Sequence, residues 1–99
     1  MAKTLAKAAP ESAKVVFEND KVRVIELNWN KGLKVPMHTH PANFVYAITA
    51  LKYKSTPPKG KAETRVMKAG EVSWSDGESH AVEALGKSGR ALVVDLIRP

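Results

Sequence analysis

Two histidines, His38 and His40, stand one residue apart in KVPMHTHPANF (34–44), and the chain's third and last is His80. Side chains repeat every two residues along a strand, so His38 and His40 project from one face. A third imidazole from a strand across a small barrel completes one face around an ion. Neutral imidazole suits iron, nickel, zinc, copper or cobalt better than magnesium or calcium, so a divalent transition metal, one of these or manganese, is the expected cofactor. Three protein ligands leave positions open for a substrate, as catalytic metal sites do. The plain alternative is a pair of solvated or hydrogen-bonded imidazoles near a hairpin tip. The absence of cysteine excludes disulfides, a thiolate zinc site and a cysteine nucleophile.

Other residues near these positions allow two readings. Asn43, Phe44, Tyr46 and Trp74 either line a pocket beside the metal or fill the core. Tyr46 is the best pocket candidate, because a buried hydroxyl seeks a partner. Met37 and Met67 read as core filler. Glu78 and Glu83 flank His80, and Glu83 is expected to face solvent. Arg23, Arg65 and Lys52 are candidates for binding a substrate carboxylate.

The elements that must carry these residues are short strands. KVRVIELNW (21–29) puts Val22 and Val24 on one face and Ile25, Leu27 and Trp29 on the other. NKG (30–32) is a turn, and LKVPMHTH sets Leu33, Val35 and Met37 opposite the two histidines. FVYAITALKYK (44–54) is one or two strands, and STPPKGKAE (55–63) is a proline- and glycine-punctuated loop. Breaks follow at Gly70 and at Asp76-Gly77, a hairpin signal; GKSGR (86–90) is a turn and ALVVDLI a closing strand. Strands at this spacing predict an all-β, antiparallel barrel or jelly roll. Residues 1–14 are expected to form a flexible or loosely docked arm, and residues 15–99 the single domain.

Composition limits the function classes. Ninety-nine residues make one domain of modest core, with 43% apolar and 26% charged residues. No apolar run reaches the length that spans a bilayer, so no membrane partner is expected. A net charge of +6 invites a nucleic-acid reading. The lysines are scattered over arm, turns and strands, however, so a basic surface without nucleic-acid binding is expected. Lysines interrupt the apolar run a signal peptide would need in MAKTLAKAAPESAK, which predicts a cytoplasmic protein, or a periplasmic one if a leader preceded residue 1.

The stretch from about Val15 to Ile97 resembles a small single-domain cupin. The first cupin block is a glycine, five residues and His-x-His; here Gly32 is followed by Leu33 to Met37 and then His38-Thr39-His40. The second block opens at Gly70 and places Gly77-Glu78-Ser79-His80 in the Gly-x-x-His spacing. All three histidines fall on the three histidine positions of the pattern. Two departures stand out: Phe44 and Val45 occupy the place of the usual glutamate ligand, and Ser75-Asp76-Gly77 replaces the usual proline turn. The resemblance implies a cupin-type double-stranded β-helix and a metal held by His38, His40 and His80. Without the glutamate, three neutral imidazoles leave the ion its full +2 charge, which favours an anionic ligand, as in the three-histidine thiol dioxygenases. The expected function is metal binding with dioxygenase or isomerase action on a small anionic molecule. A metal-free small-ligand binder and a non-catalytic dimeric scaffold remain the alternatives. No catalytic residue is assigned, and whether the protein is an enzyme stays open. A homodimer is expected, because open barrels leave edge strands that partners cover.

Overall fold

The computed structural model describes residues 3–30, 32–86 and 88–97. Strands β1 (Lys3–Thr4), β2 (Ala13–Glu18), β3 (Val22–Trp29), β4 (Lys34–His40) and β5 (Asn43–Ala47) form the first half. Strands β6 (Leu51–Thr56), β7 (Glu63–Met67), β8 (Val72–Ser75), β9 (Glu78–Leu85) and β10 (Gly89–Leu96) form the second. One helical turn, α1 (Leu5–Ala8), follows β1. The strands make two five-stranded sheets, ordered β1-β4-β9-β6-β7 and β2-β3-β10-β5-β8. Among the described residues all pairings are antiparallel except β1 with β4. This is the predicted all-β jelly roll. Among the described residues no helix is long and apolar enough to cross a membrane.

Period-2 alternation explains why the sheets close on each other. Ile25, Leu27 and Trp29 of β3 and Ala91 and Val93 of β10 meet Val35, Leu51, Met67, Val82 and Ala84 of the other sheet in one core cluster. Each large aliphatic buried there contributes roughly 1.5–3 kcal/mol. Trp29 meets Tyr53 edge-on across the core, with ring centroids 5.3 Å apart.

Three expectations are refined by the structure. Of the two readings of the first segment, flexible or loosely docked arm, the structure shows a docked one: β1 pairs with β4, and the Leu5 side chain is buried in the core. Met1 and Ala2 of that arm lie outside the described residues, as do Lys31 and Lys87 in two predicted turns. The loop read from Ser55 begins later, since Ser55 and Thr56 extend β6.

The third correction concerns β4. Val35 pairs with Val82 and His38 with His80, so β4 advances three residues while β9 advances two. The extra residue is a β-bulge, and a bulge re-aims the side chains that follow it. Val35 therefore shares the interior with His38 and His40 instead of facing away. Pro36 sits in the bulge, where its missing N–H removes no ladder bond. Met37, read as core filler, is exposed.

The outward face of the second sheet carries an apolar row. Phe17, Val24, Val94, Phe44 and Trp74 are successive cross-strand partners over all five of its strands. Phe17 and Trp74 remain more than half exposed.

Candidate metal centre

His38 and His40 come from β4 and His80 from the adjacent β9, where it stands directly opposite His38. Their ligand atoms lie within 4.8 Å of one another, and all three rings are largely buried. The ring centroids are 4.7, 4.8 and 5.3 Å apart. An ion about 2.1 Å from each nitrogen would lie about 3.2 Å from each centroid, which spaces the centroids about 4.6 Å apart for right-angle ligation and about 5.3 Å for tetrahedral. The observed triangle spans that range.

The outer nitrogens show which atoms are free to bind. Nδ1 of His38 is 2.8 Å from the Pro36 carbonyl oxygen, an acceptor only, so Nδ1 carries the proton and Nε2 a lone pair. Nδ1 of His80 lies 3.1 Å from Oε1 of Glu78 and 2.9 Å from the Ser55 hydroxyl. The carboxylate likewise favours the proton on Nδ1. Nδ1 of His40 faces Oδ1 of Asp95 at 3.7 Å, and both atoms are buried without a hydrogen bond among the described residues. Every Nδ1 is thus turned to an oxygen, leaving Nε2 of each ring as the available donor, the arrangement that outer partners impose in metal sites.

The rings of His38 and His80 are held neutral as well. Burial, followed by the neighbouring His38 and His40, lowers His80 to about 3. Burial likewise lowers His38, with the Pro36 carbonyl opposing it. Neutral imidazoles need not lose a proton to bind a cation near neutral pH.

Two spaces adjoin the cluster. An apolar cavity of about 60 Å³ lies on the core side, lined by Leu5, Trp29, Val35 and Val93 among others. A mouth of about 480 Å³ opens on the other side, bordered by Asn43, Tyr53, Arg65, Glu78 and Trp74. Burial raises the Tyr53 hydroxyl above the ordinary phenol range, while the Arg65 guanidinium that hydrogen-bonds it pulls the other way.

The expected pocket residues divide. Asn43 is buried at the mouth, its amide donating to the Pro41 carbonyl, and Trp74 borders the rim, its indole N–H donating to Asp76. Phe44 and Tyr46 do not line either space, because the inward set of β5 is Asn43, Val45 and Ala47. Tyr53, which alternates with buried Leu51 and Ser55, is the inward tyrosine. Arg65 reaches the mouth, whereas Arg23 pairs with Glu18 and Lys52 is exposed. Glu83 pairs with Lys54 away from the site. Sequence reasoning missed Asp95 and the inward turn of Glu78. Glu78 is two residues from His80, and Asp95 two from Val93, so alternation places each on the inner face.

Known structures share this architecture. A cupin domain from Bordetella pertussis Tohama I superposes with a TM-score of 0.78 over 87% of this chain and 92% of its own, at 19% identity. The chain has the cupin fold. A cupin-superfamily protein from Desulfitobacterium hafniense DCB-2 matches this barrel with a TM-score of 0.66, over 87% of this chain and 76% of its own, at 11% identity. An RmlC-like cupin from Shewanella frigidimarina NCIMB 400 gives 0.61, 87%, 75% and 13% for the same measures. No protein-family model and no curated protein matches the sequence. A cupin fold with a three-histidine cluster is compatible with metal binding.

Proposed function

We propose that this cupin binds one divalent transition metal through Nε2 of His38, His40 and His80 and acts on a small anionic molecule at the barrel mouth, as a dioxygenase or an isomerase. The observation that carries the reading is the convergence of three imidazoles whose Nδ1 atoms all face oxygen partners. The residues fit iron, nickel, zinc, copper or cobalt, which favour nitrogen donors. When bound, such an ion supplies a Lewis acid with positions open toward substrate. The chain's own groups supply the rest. Burial keeps His38 and His80 neutral, the apolar cavity excludes water from the core side, and Arg65 places a positive charge at the mouth.

Elemental analysis of protein purified without a histidine tag tests the proposal. One equivalent of transition metal is expected, falling to background in His38→Ala. Unchanged metal content in that variant would mean the ligand set is wrong.

A non-catalytic scaffold is favoured by a different observation, the apolar row outside the second sheet. The row spans all five strands of that sheet with Phe17 and Trp74 more than half exposed, and a contiguous exposed apolar patch marks an interaction surface. A flat apolar face is self-complementary under a two-fold axis, so the occupant we infer is a second copy of this chain. Light scattering on the eluted protein should report a dimer.

A further inference from the structure

We propose that Asp95 is the positioning residue of the metal centre: its buried carboxylate fixes the Nδ1–H tautomer and the ring orientation of His40. It also supplies, from outside the coordination sphere, the negative charge that the missing glutamate would have given. This inference rests on the metal-binding reading above.

Strand β10 carries an anomaly. Its inward set is Ala91, Val93 and Asp95, and Asp95 is only 2% exposed. An apolar side chain would satisfy the core there, whereas a buried carboxylate without a partner is costly. Oδ1 of Asp95 accepts no hydrogen bond among the described residues. The nearest candidate cation by register is Arg23, its partner on β3, but that guanidinium is bound to Glu18. What Oδ1 of Asp95 does face is Nδ1 of His40, equally buried and equally without a hydrogen bond among the described residues, at 3.7 Å. A donor and an acceptor, each orphaned and each aimed at the other, stop short of hydrogen-bond distance by well under 1 Å.

The other two imidazoles explain what the pair is for. His38 and His80 already have oxygen partners on Nδ1, the Pro36 carbonyl and the Ser55 and Glu78 oxygens. Asp95 completes the set for the third ring. The carboxylate lies on the Nδ1 side of His40 and is not among the residues whose ligand atoms cluster, so it acts through His40 and not as a fourth ligand. A ligating histidine whose outer nitrogen donates to a carboxylate is a stronger base and is held in one orientation, and loss of such a partner weakens metal binding about 10- to 100-fold.

Asp95→Asn keeps the shape and removes the charge. Cobalt(II) affinity, read by competition with a chromophoric chelator, is expected to fall about 10- to 100-fold, with a changed visible spectrum of the bound cobalt. The metal-free variant should melt no lower than the wild type, which a merely structural role would not permit. Wild-type affinity and spectrum in the variant would overturn the assignment to Asp95 and leave the three-histidine centre standing. Failure of the wild-type protein to bind cobalt(II) would overturn both. A second measurement needs no variant. In the zinc-loaded wild type, nitrogen-15 spectra should show His40 with a protonated, slowly exchanging Nδ1, and a rapidly exchanging proton there would overturn the proposal.

Discussion

His38 and His80 face each other directly across the β4–β9 ladder, their rings 4.7 Å apart between centroids and inclined by 62°. Both are buried, so protonating either places a charge in the barrel interior.

That arrangement sets an acid limit on the metal-free protein. His80 titrates at about 3 when folded, against an ordinary value of 6.5. Between those values the unfolded chain binds more protons, so stability falls as pH drops below 6.5, and His38 adds in the same direction. A tenfold difference in proton affinity between the folded and unfolded chain is worth about 1.4 kcal/mol, so the loss attributable to His80 reaches on the order of a few kcal/mol near pH 4. Thermal melts from neutral to about pH 4 should show the decline, and His80→Gln should flatten it. A melting temperature independent of pH over that span would contradict the account.

Metal should stabilise the fold by mass action. At a free concentration about 100 times Kd, the gain is about 2.7 kcal/mol, a rise of several degrees in Tm for a chain of this size. A chelator should reverse it. His38→Ala should abolish the response and, because His38 is only 1% exposed, also cost about 2 kcal/mol or more through the cavity it leaves. A full metal response in that variant would count against the site.

Gly77 is required by the turn that delivers His80. Its φ is +117°, and a Cβ there would approach the His40 carbonyl oxygen at 3.2 Å. Gly77→Ala should therefore destabilise by about 1–3 kcal/mol, read from the denaturant midpoint, and weaken metal binding by disturbing His40. An unchanged midpoint would show that the turn relaxes freely.

A dimer joined through the outer face should come apart without disturbing the interior. Phe17→Ser, placed in the exposed apolar row and away from the mouth, should shift the protein to monomer in light scattering while leaving metal content intact. Loss of metal together with the dimer would tie the two sites, contrary to the structure's separation of inner and outer faces.

Much of the architecture was legible in the sequence because alternation and turn chemistry agree with each other. Ile25, Leu27 and Trp29 point inward as their spacing dictates, whereas the chain turns at Asp76-Gly77 without the expected hairpin, because β8 and β9 enter different sheets. The three histidines meet, but His80 comes from the strand beside His38 and not from across the barrel as expected. What stayed hidden depends on register. The bulge around Pro36 reverses the phase of β4 partway along, so simple alternation misplaces Val35. Phe44 and Tyr46 read as pocket aromatics, yet β5 enters the sheet with Asn43 inward and carries both rings outside. Asp95 interrupts an apolar strand, and nothing local to β10 shows that His40 waits opposite.

One structural feature reaches beyond the site itself. All three imidazoles hang from β4 and β9, two neighbouring strands of one sheet, and none comes from the other sheet. An ion held there would act as a rivet through a single seam. Amide exchange should slow along that seam when metal is added, while β2 and β8 at the far sheet's margins keep breathing at their metal-free rate.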